Sequence, residues 1–309
     1  MNLNSKIFIT GHNGLVGNSI LQHLRKKNFR KLFIADRKTL DLRNQNKVLN
    51  FFKIKKFDYV INCAGKVGGI YANSKYRADF IYDNIMMQNN VIYSSYSTKV
   101  KSLIFLGSSC IYPKNSKIPM KETDLLSGKL EETNEPYAIA KIAGIKMCES
   151  FNHQYKTDYK CLMPCNLFGP NDNYDLSSSH FLPALIKKIY YAKKNGAKEV
   201  LIWGSGKPLR EIMYVDDLAD ACLFFLKKKT KQSLINIGSG IEYSILDYAK
   251  IIARKIDYKV KFIFDKSKPD GMKRKLVDSS LAKKYGWKSN ISFEAGLEKT
   301  IKNFEETLY

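Results

Sequence analysis

The order of the apolar runs constrains this chain more than any other feature. Strand-like runs are expected at Lys6–Thr10, Leu32–Ala35, Tyr59–Asn62, Ser102–Gly107 and Tyr159–Met163. Between them lie stretches of helical period at Leu15–Lys27, Asn44–Lys55, Ser74–Ser97 and Pro136–Tyr155. Strands that alternate with helices build a parallel sheet covered on both faces, because each crossover must bring the chain back to the same edge. The second half is less regular. Helices are expected at Leu182–Lys194, at Asp216–Leu226 with an Asp cap, and at Ile245–Ile256 and Phe293–Glu306. Strands are expected at Val200–Trp203, Ile212–Val215, Leu234–Ile237 and Lys261–Phe264. No linker separates the halves. The fold class is therefore α/β, a doubly wound parallel sheet with a smaller, interleaved C-terminal lobe. Residues 1–164, with returns at about 212–240, form the sheet domain, and 165–211 with 241–309 form the lobe.

A length of 309 residues suits that plan. No run approaches the roughly 20 apolar residues a membrane helix needs, and Met1–Lys6 leads directly into a strand, so a cytoplasmic location without a membrane partner is expected. None of the six cysteines forms a C-x-x-C pair and no metal is expected. The net charge of +23 raises a nucleic-acid surface. Only 8 of the 52 basic residues are Arg, however, and the lysines are scattered, with no cluster longer than Lys227-Lys228-Lys229. A compositional bias accounts for this, and no nucleic-acid partner is expected.

Gly11-His12-Asn13-Gly14-Leu15-Val16-Gly17 joins the first strand to the first helix, where a dinucleotide pyrophosphate meets a helix N-terminus. The spacing G-x-x-G-x-x-G gives a tight turn, a close backbone approach to phosphate and close helix–sheet packing. After the second strand, Asp36 suits a ribose 2′-hydroxyl and Arg37 suits a 2′-phosphate. The two point to different cofactors.

Gly107-Ser108-Ser109-Cys110-Ile111-Tyr112-Pro113 follows the fourth strand, and Pro136-Tyr137-Ala138-Ile139-Ala140-Lys141 opens a helix. Tyr137 and Lys141 are four apart and share a helix face. An ammonium beside a phenol of ordinary pKa about 10 favours phenolate, and lowering that pKa by about three units takes roughly 4 kcal/mol. Lys141 with a nicotinamide's positive charge is expected to supply it. A serine hydroxyl then orients the substrate oxygen.

These motifs, with Lys66-Val67-Gly68-Gly69-Ile70, Asn134-Glu135, Pro164 to Pro170, Trp203-Gly204-Ser205-Gly206 and Lys268-Pro269-Asp270-Gly271, resemble the GDP-L-fucose synthase family of extended short-chain dehydrogenase/reductases along nearly the whole chain. The resemblance implies a Rossmann-like fold, NADPH, a homodimer paired through the helix near Ser74–Ser97 and the helix carrying Tyr137, and a GDP-linked 4-keto-6-deoxy sugar as substrate. It implies epimerisation at C3 and C5, then reduction at C4. Tyr137 becomes the proton donor, Lys141 its partner, Ser108 the carbonyl-orienting hydroxyl, and Cys110 with His180 the epimerisation pair. Leu106, Gly107, Pro164, Asn166, Leu167 and His180 join the glycine loop around the cofactor. Ser109, Asn166, Lys188, Trp203, Arg210 and Asp270 join Ser108 and Cys110 around the GDP-sugar. Two departures stand out. Asn13 replaces an arginine frequent in the family, which with Asp36 leaves NADH open, and Lys188 replaces a frequent arginine. A C4 reductase without epimerase activity, acting on a heptose, is the nearest alternative. A non-enzymatic cofactor sensor and a nucleic-acid binder are the others.

Overall fold

A computed structural model describes residues 1–268 and 270–308; Pro269, part of one quoted stretch, lies outside them. In chain order the sheet half comprises β1 Ile7–Thr10, α1 Leu15–Lys26, β2 Leu32–Phe33, α2 Gln45–Lys55, β3 Tyr59–Asn62, α3 Ile70–Lys75, α4 Arg77–Ser97, β4 Ser102–Leu106, α5 Glu135–Tyr155 and β5 Tyr159–Pro164. There follow β6 Asn166–Phe168, α6 Phe181–Asn195, β7 Glu199–Trp203, β8 Leu209–Tyr214, α7 Val215–Lys227 and β9 Leu234–Ile237. The chain closes with β10 Glu242–Ser244, α8 Ile245–Lys255, β11 Lys261–Asp265, β12 Arg274–Lys275, α9 Ser280–Tyr285 and α10 Phe293–Glu306.

Six strands form one all-parallel sheet in the order β2-β1-β3-β4-β5-β9. Its strands are buried from end to end except at β2, as expected of a sheet packed on both faces. The order reverses between β1 and β3, and ligands of open parallel sheets bind at such a switch point, outside the carboxyl ends of the strands. Thr10, Asn62, Leu106 and Pro164 end their strands at this edge.

A second core forms around α6, α8 and α10, from Phe168, Leu185, Ile189, Tyr248, Leu297 and Phe304 among others. It packs on a small sheet in which β8 pairs with β6, β10 and β12, and on a two-stranded parallel sheet of β7 and β11. Val277, Ala282 and Trp287 cross back to the first core, so the chain between β12 and α10 covers the sheet half.

Several expectations are corrected. The helix expected over Ser74–Ser97 is two helices. The chain breaks at Tyr76 (φ −109°, ψ 42°), and a hydrogen bond from Gly69 N–H to the Ser178 carbonyl at 3.0 Å ties the start of α3 to the segment before α6. The second strand stops at Phe33, since only Leu32 and Phe33 find partners on β1. Asp216 does not cap α7. It lies in the first turn and accepts from the Ser19 hydroxyl at 2.7 Å, tying α7 to α1. Asn44 does cap α2, accepting from Lys47 N–H at 3.0 Å, a bond worth about 1 kcal/mol. The short strands β6, β10 and β12 and the helix α9 carry too few residues for periodicity to reveal them.

Candidate active site

The glycine loop is shaped by the strand beside it. The Thr10 hydroxyl donates to the Asn62 side chain at 2.8 Å and accepts from Cys63 and Ala64 N–H at 3.0 and 2.9 Å. This holds Ala64 against Gly11, whose φ is +66° and where a Cβ would stand 3.0 Å from Ala64 backbone. A Cβ on Gly17 would overlap the Gly11 carbonyl at 2.2 Å. Both positions therefore require glycine for the protein's own packing. Gly14 is different: the nearest atom to its Cβ is 3.6 Å away, so nothing in the chain forbids a side chain there. The bare backbone leaves space for a ligand at the start of α1, where no side chain caps the helix. A pyrophosphate fits that cradle, drawn by the positive end of the helix dipole. His12 is half-buried beside this loop, while Asn13 is exposed.

The Asp36 carboxylate accepts from Thr39 N–H and hydroxyl, both at 2.9 Å, and these bonds hold it below its ordinary pKa. Asp36 thus closes a local turn. Arg37 is 72% exposed and only grazes Asp41 at 4.0 Å, so its guanidinium is the group here with donors to offer.

At the ends of β4 and α5 lie the reacting side chains. Ser108 begins a one-turn 3-10 helix, Ser109–Ile111, its oxygen accepting from Cys110 N–H at 3.4 Å. Ser109 and Cys110 are buried, and a Cβ on Gly107 would strike Met163. Tyr112, expected only as part of a motif, anchors this loop by donating to Asn236 on β9 at 2.5 Å. Asn236 in turn accepts nothing further there but donates to the Met120 carbonyl at 3.0 Å, and its N–H reaches Glu122 at 2.8 Å.

Lys141 is buried, and its ammonium donates to the Leu106 carbonyl at 2.9 Å, lying 5.7 Å from the Tyr137 ring centre. Burial lowers its pKa to about 8. Burial also pushes the Tyr137 phenol up, with the Cys110 thiol adding to the effect. The expected shift toward phenolate called on Lys141 together with a nicotinamide's positive charge; the protein's own groups push the phenol the other way. A buried ammonium must find a partner, and it takes the strand-end carbonyl. The phenol is held protonated, the state a proton donor needs.

His180 precedes α6 across the cleft. Its residue surface remains open to water, yet cleft walls crowd the ring, and that desolvation with nearby Lys275 lowers its pKa. Lys275 on β12 is the functional candidate the sequence hides. It neighbours Cys110, His180 and Arg210 closely enough to affect or be affected by each. Burial raises the Cys110 thiol, and Lys275 opposes the rise. One lysine among 44 carries no signal in sequence. Glu211 fixes β12 from behind, accepting from Val277 and Gly240 N–H at 3.0 and 2.7 Å, and burial raises it to about 7.

The remaining lobe residues form a second cluster. Trp203 is 51% exposed, with the Lys188 and Lys268 ammonium groups each 5.4 Å from its ring centre. Lys188 also donates to the Leu201 carbonyl at 2.9 Å, which leaves two of its three donors. Arg210 is held by the Leu209 and Asp270 carbonyls at 2.8 and 3.1 Å. Both Asp270 oxygens accept from Ser205, at 2.6 and 2.8 Å, so this carboxylate locks the Trp203–Gly206 turn instead of facing the cleft. Asn166 and Leu167 lie on β6, and a Cβ placed on Gly169 just beyond would stand 3.4 Å from the Leu15 side chain. Pro164 to Gly169 therefore borders the glycine loop.

The sequence profile of the NAD dependent epimerase/dehydratase family matches residues 7–238. The chain is 48% identical over 304 residues to "Putative GDP-L-fucose synthase 2" of Arabidopsis thaliana, covering 98% of this chain and 93% of that one. It is 46% identical to GDP-L-fucose synthase of Escherichia coli, covering 97% of each. The chain belongs to the GDP-L-fucose synthase family. Its structure also matches a GDP-mannoheptose C4 reductase from Campylobacter jejuni with NADP bound, at a TM-score of 0.91 and 38% identity over 99% of each chain. The Rossmann-like fold expected from strand order and glycine spacing agrees with these likenesses.

Proposed function

We propose that this member of the GDP-L-fucose synthase family reduces the C4 ketone of a GDP-linked 4-keto-6-deoxy sugar with NADPH, after epimerising C3 and C5. The observation that carries the reading is the convergence of Ser108, Tyr137 and Lys141 at the sheet's carboxyl edge, beside a helix N-terminus stripped of side chains at Gly14. NADPH supplies the hydride. Gly11 to Gly17, Leu106, Gly107 and Pro164 to Leu167 hold its dinucleotide, and Arg37 meets the 2′-phosphate, since Asp36 is committed to Thr39.

Ser108 and Tyr137 hydrogen-bond the C4 oxygen. Tyr137 gives it a proton as C4 gains the hydride, so the ketone becomes an alcohol. The same two hydroxyls stabilise the enolate formed when C3 or C5 loses its proton, because the ketone acidifies both carbons. Cys110 and His180 exchange those protons. Crowding in the cleft favours the neutral form of His180, and Lys275 opposes the rise that burial gives the thiol. Arg210 and Lys188 pair with the diphosphate, and Trp203 offers an apolar face. We place the cofactor on the first core and the GDP-sugar largely on the second.

A second reading is a C4 reductase without epimerase activity, acting on a heptose. The likeness to the Campylobacter jejuni heptose reductase favours it. Turnover of GDP-keto hexoses and heptoses in deuterated water separates the two. Deuterium at C3 and C5 of the product supports epimerisation, and product without it supports reduction alone.

A homodimer through α4 and α5 accompanies this reading. Tyr82, Tyr93 and Ile139 are 60, 41 and 40% exposed on these helices, and a cavity of about 240 Å³ lies between Arg77, Ile81, Pro136 and Ile139. Light scattering at the mass of two chains is the expected result.

A further inference from the structure

Lysines that look scattered along the sequence are gathered by the topology. In an all-parallel sheet every segment entering a strand lies on one edge, here the edge opposite the glycine loop. The chain entering β2, residues 25–31, carries five exposed cations; 53–56, entering β3, carries three; 99–101, entering β4, two; and 227–231, entering β9, four. Lys156 adds another before β5. The carboxylates in these approaches are Asp58 and Asp158, and both are paired, with Lys101 and with buried Lys160. The segments on the catalytic edge differ: 34–44 and 107–134 carry seven cations and six carboxylates. The excess charge is therefore sorted to one edge, which a uniform bias toward lysine does not explain.

Helix dipoles explain part of it. Basic residues in the last turns of α1, α2 and α7 complement the negative helix ends. They do not account for the cations beyond the helices, at 27–31, 99–101 and 228–231. Apolar side chains stand exposed on the same edge: Ile54 at 75%, Leu3 at 45% and Tyr155 at 44%.

We infer that this edge is a docking surface for anionic lipid headgroups, and that the protein adsorbs peripherally on a negatively charged bilayer with its cleft turned away. A row of six strands spans about 24 Å at the usual strand spacing, broad enough for many headgroups. Flexible ammonium groups suit a fluid, charged surface, whereas fixed recognition of single phosphates favours guanidinium forks. Ile54, Leu3 and Tyr155 insert at the interface. The expectation of no membrane partner rested on the lack of a spanning segment. Among the described residues no helix is long and apolar enough to cross a membrane, and adsorption needs none.

The test is co-sedimentation of the full chain with phosphatidylcholine vesicles, with and without phosphatidylglycerol. Binding is expected only with phosphatidylglycerol, falling as salt rises. A variant combining Lys26→Glu, Lys27→Glu, Lys53→Glu and Lys55→Glu is expected to lose binding roughly tenfold or more while keeping its reductase activity. A charge-matched variant on the lobe, Lys250→Glu, Lys266→Glu, Lys299→Glu and Lys302→Glu, is expected to keep most of it. Equal loss in both variants means net charge alone acts and overturns the docking edge. So does failure of the parent to bind at low salt, or binding to RNA but not to vesicles.

Discussion

The two walls of the cleft are built differently. On the sheet side, short bonds fix Lys141 and the loops that carry the other reacting groups: Lys141 to Leu106, Tyr112 to Asn236, and Thr10 to the strand beside it. On the lobe side, Trp203 is half exposed, Lys188 and Lys268 lie over its faces, and His180 keeps contact with water. The rigid wall is suited to chemistry, which needs groups placed to within fractions of an ångström. The looser wall is suited to recognition, where charge and an apolar face collect the GDP-sugar. Changes on the sheet wall should act on kcat, and changes at the lobe's recognition residues Trp203, Lys188 and Arg210 on KM.

The largest effect is expected at Tyr137. Tyr137→Phe should reduce C4 reduction by about 10³-fold or more, with NADPH affinity unchanged, because it removes only the proton donor. Stopped-flow hydride transfer and cofactor titration check both. Cys110→Ser comes next. It should slow deuterium exchange at C3 and C5 by roughly 10²-fold, while reduction of an already epimerised ketone changes little. Equal loss of both reactions would show that the thiol only fills space. Arg210→Ala, on the other wall, should raise KM for the GDP-sugar by about tenfold or more with a smaller change in kcat. If kcat falls most, the division between the walls fails.

A pH effect of smaller size follows from Lys141. Its pKa is depressed to about 8, so the ammonium is present below that pH and is lost as pH rises through it. In the rate profile, kcat/KM for reduction should fall above pH about 8, since this parameter reports the free enzyme. Stability runs the other way. Between that value and the lysine's ordinary pKa the unfolded chain binds the proton more tightly, so this group makes folding more favourable as pH rises. The smallest effect is expected at Arg37. Arg37→Ser should shift the NADPH-to-NADH preference by several-fold toward NADH, measured as the ratio of kcat/KM values.

Much of the sheet wall was legible in the sequence, since its elements announce themselves. β1, β3, β4 and β5 are mostly apolar runs, the glycines follow β1 directly, and Tyr137 and Lys141 share one helix face. The lobe wall was harder to see. β10 and β12 have three and two residues, too short for a period to form. Lys275 gains meaning only because β12 pairs with β8 and brings it beside Arg210. Asp270 was expected around the GDP-sugar, but its engagement with Ser205 depends on the turn at Gly204, where a Cβ would meet the carboxylate at 2.2 Å. The break at Tyr76 was hidden because helical periodicity continues through it, while the backbone leaves the helical region at that one residue. The sorting of lysines to one edge was invisible for a related reason: it is a property of strand direction, which no local window contains.

The most direct test of the account is the fate of a labelled hydride. Given NADPH carrying deuterium at the transferable position and a GDP-4-keto-6-deoxy hexose, the enzyme should deliver that deuterium to C4 of the product and to no other carbon, with one face of C4 labelled. Oxidation of the cofactor without label at C4, or tight NADPH binding with no turnover of any GDP-keto hexose or heptose, would contradict it.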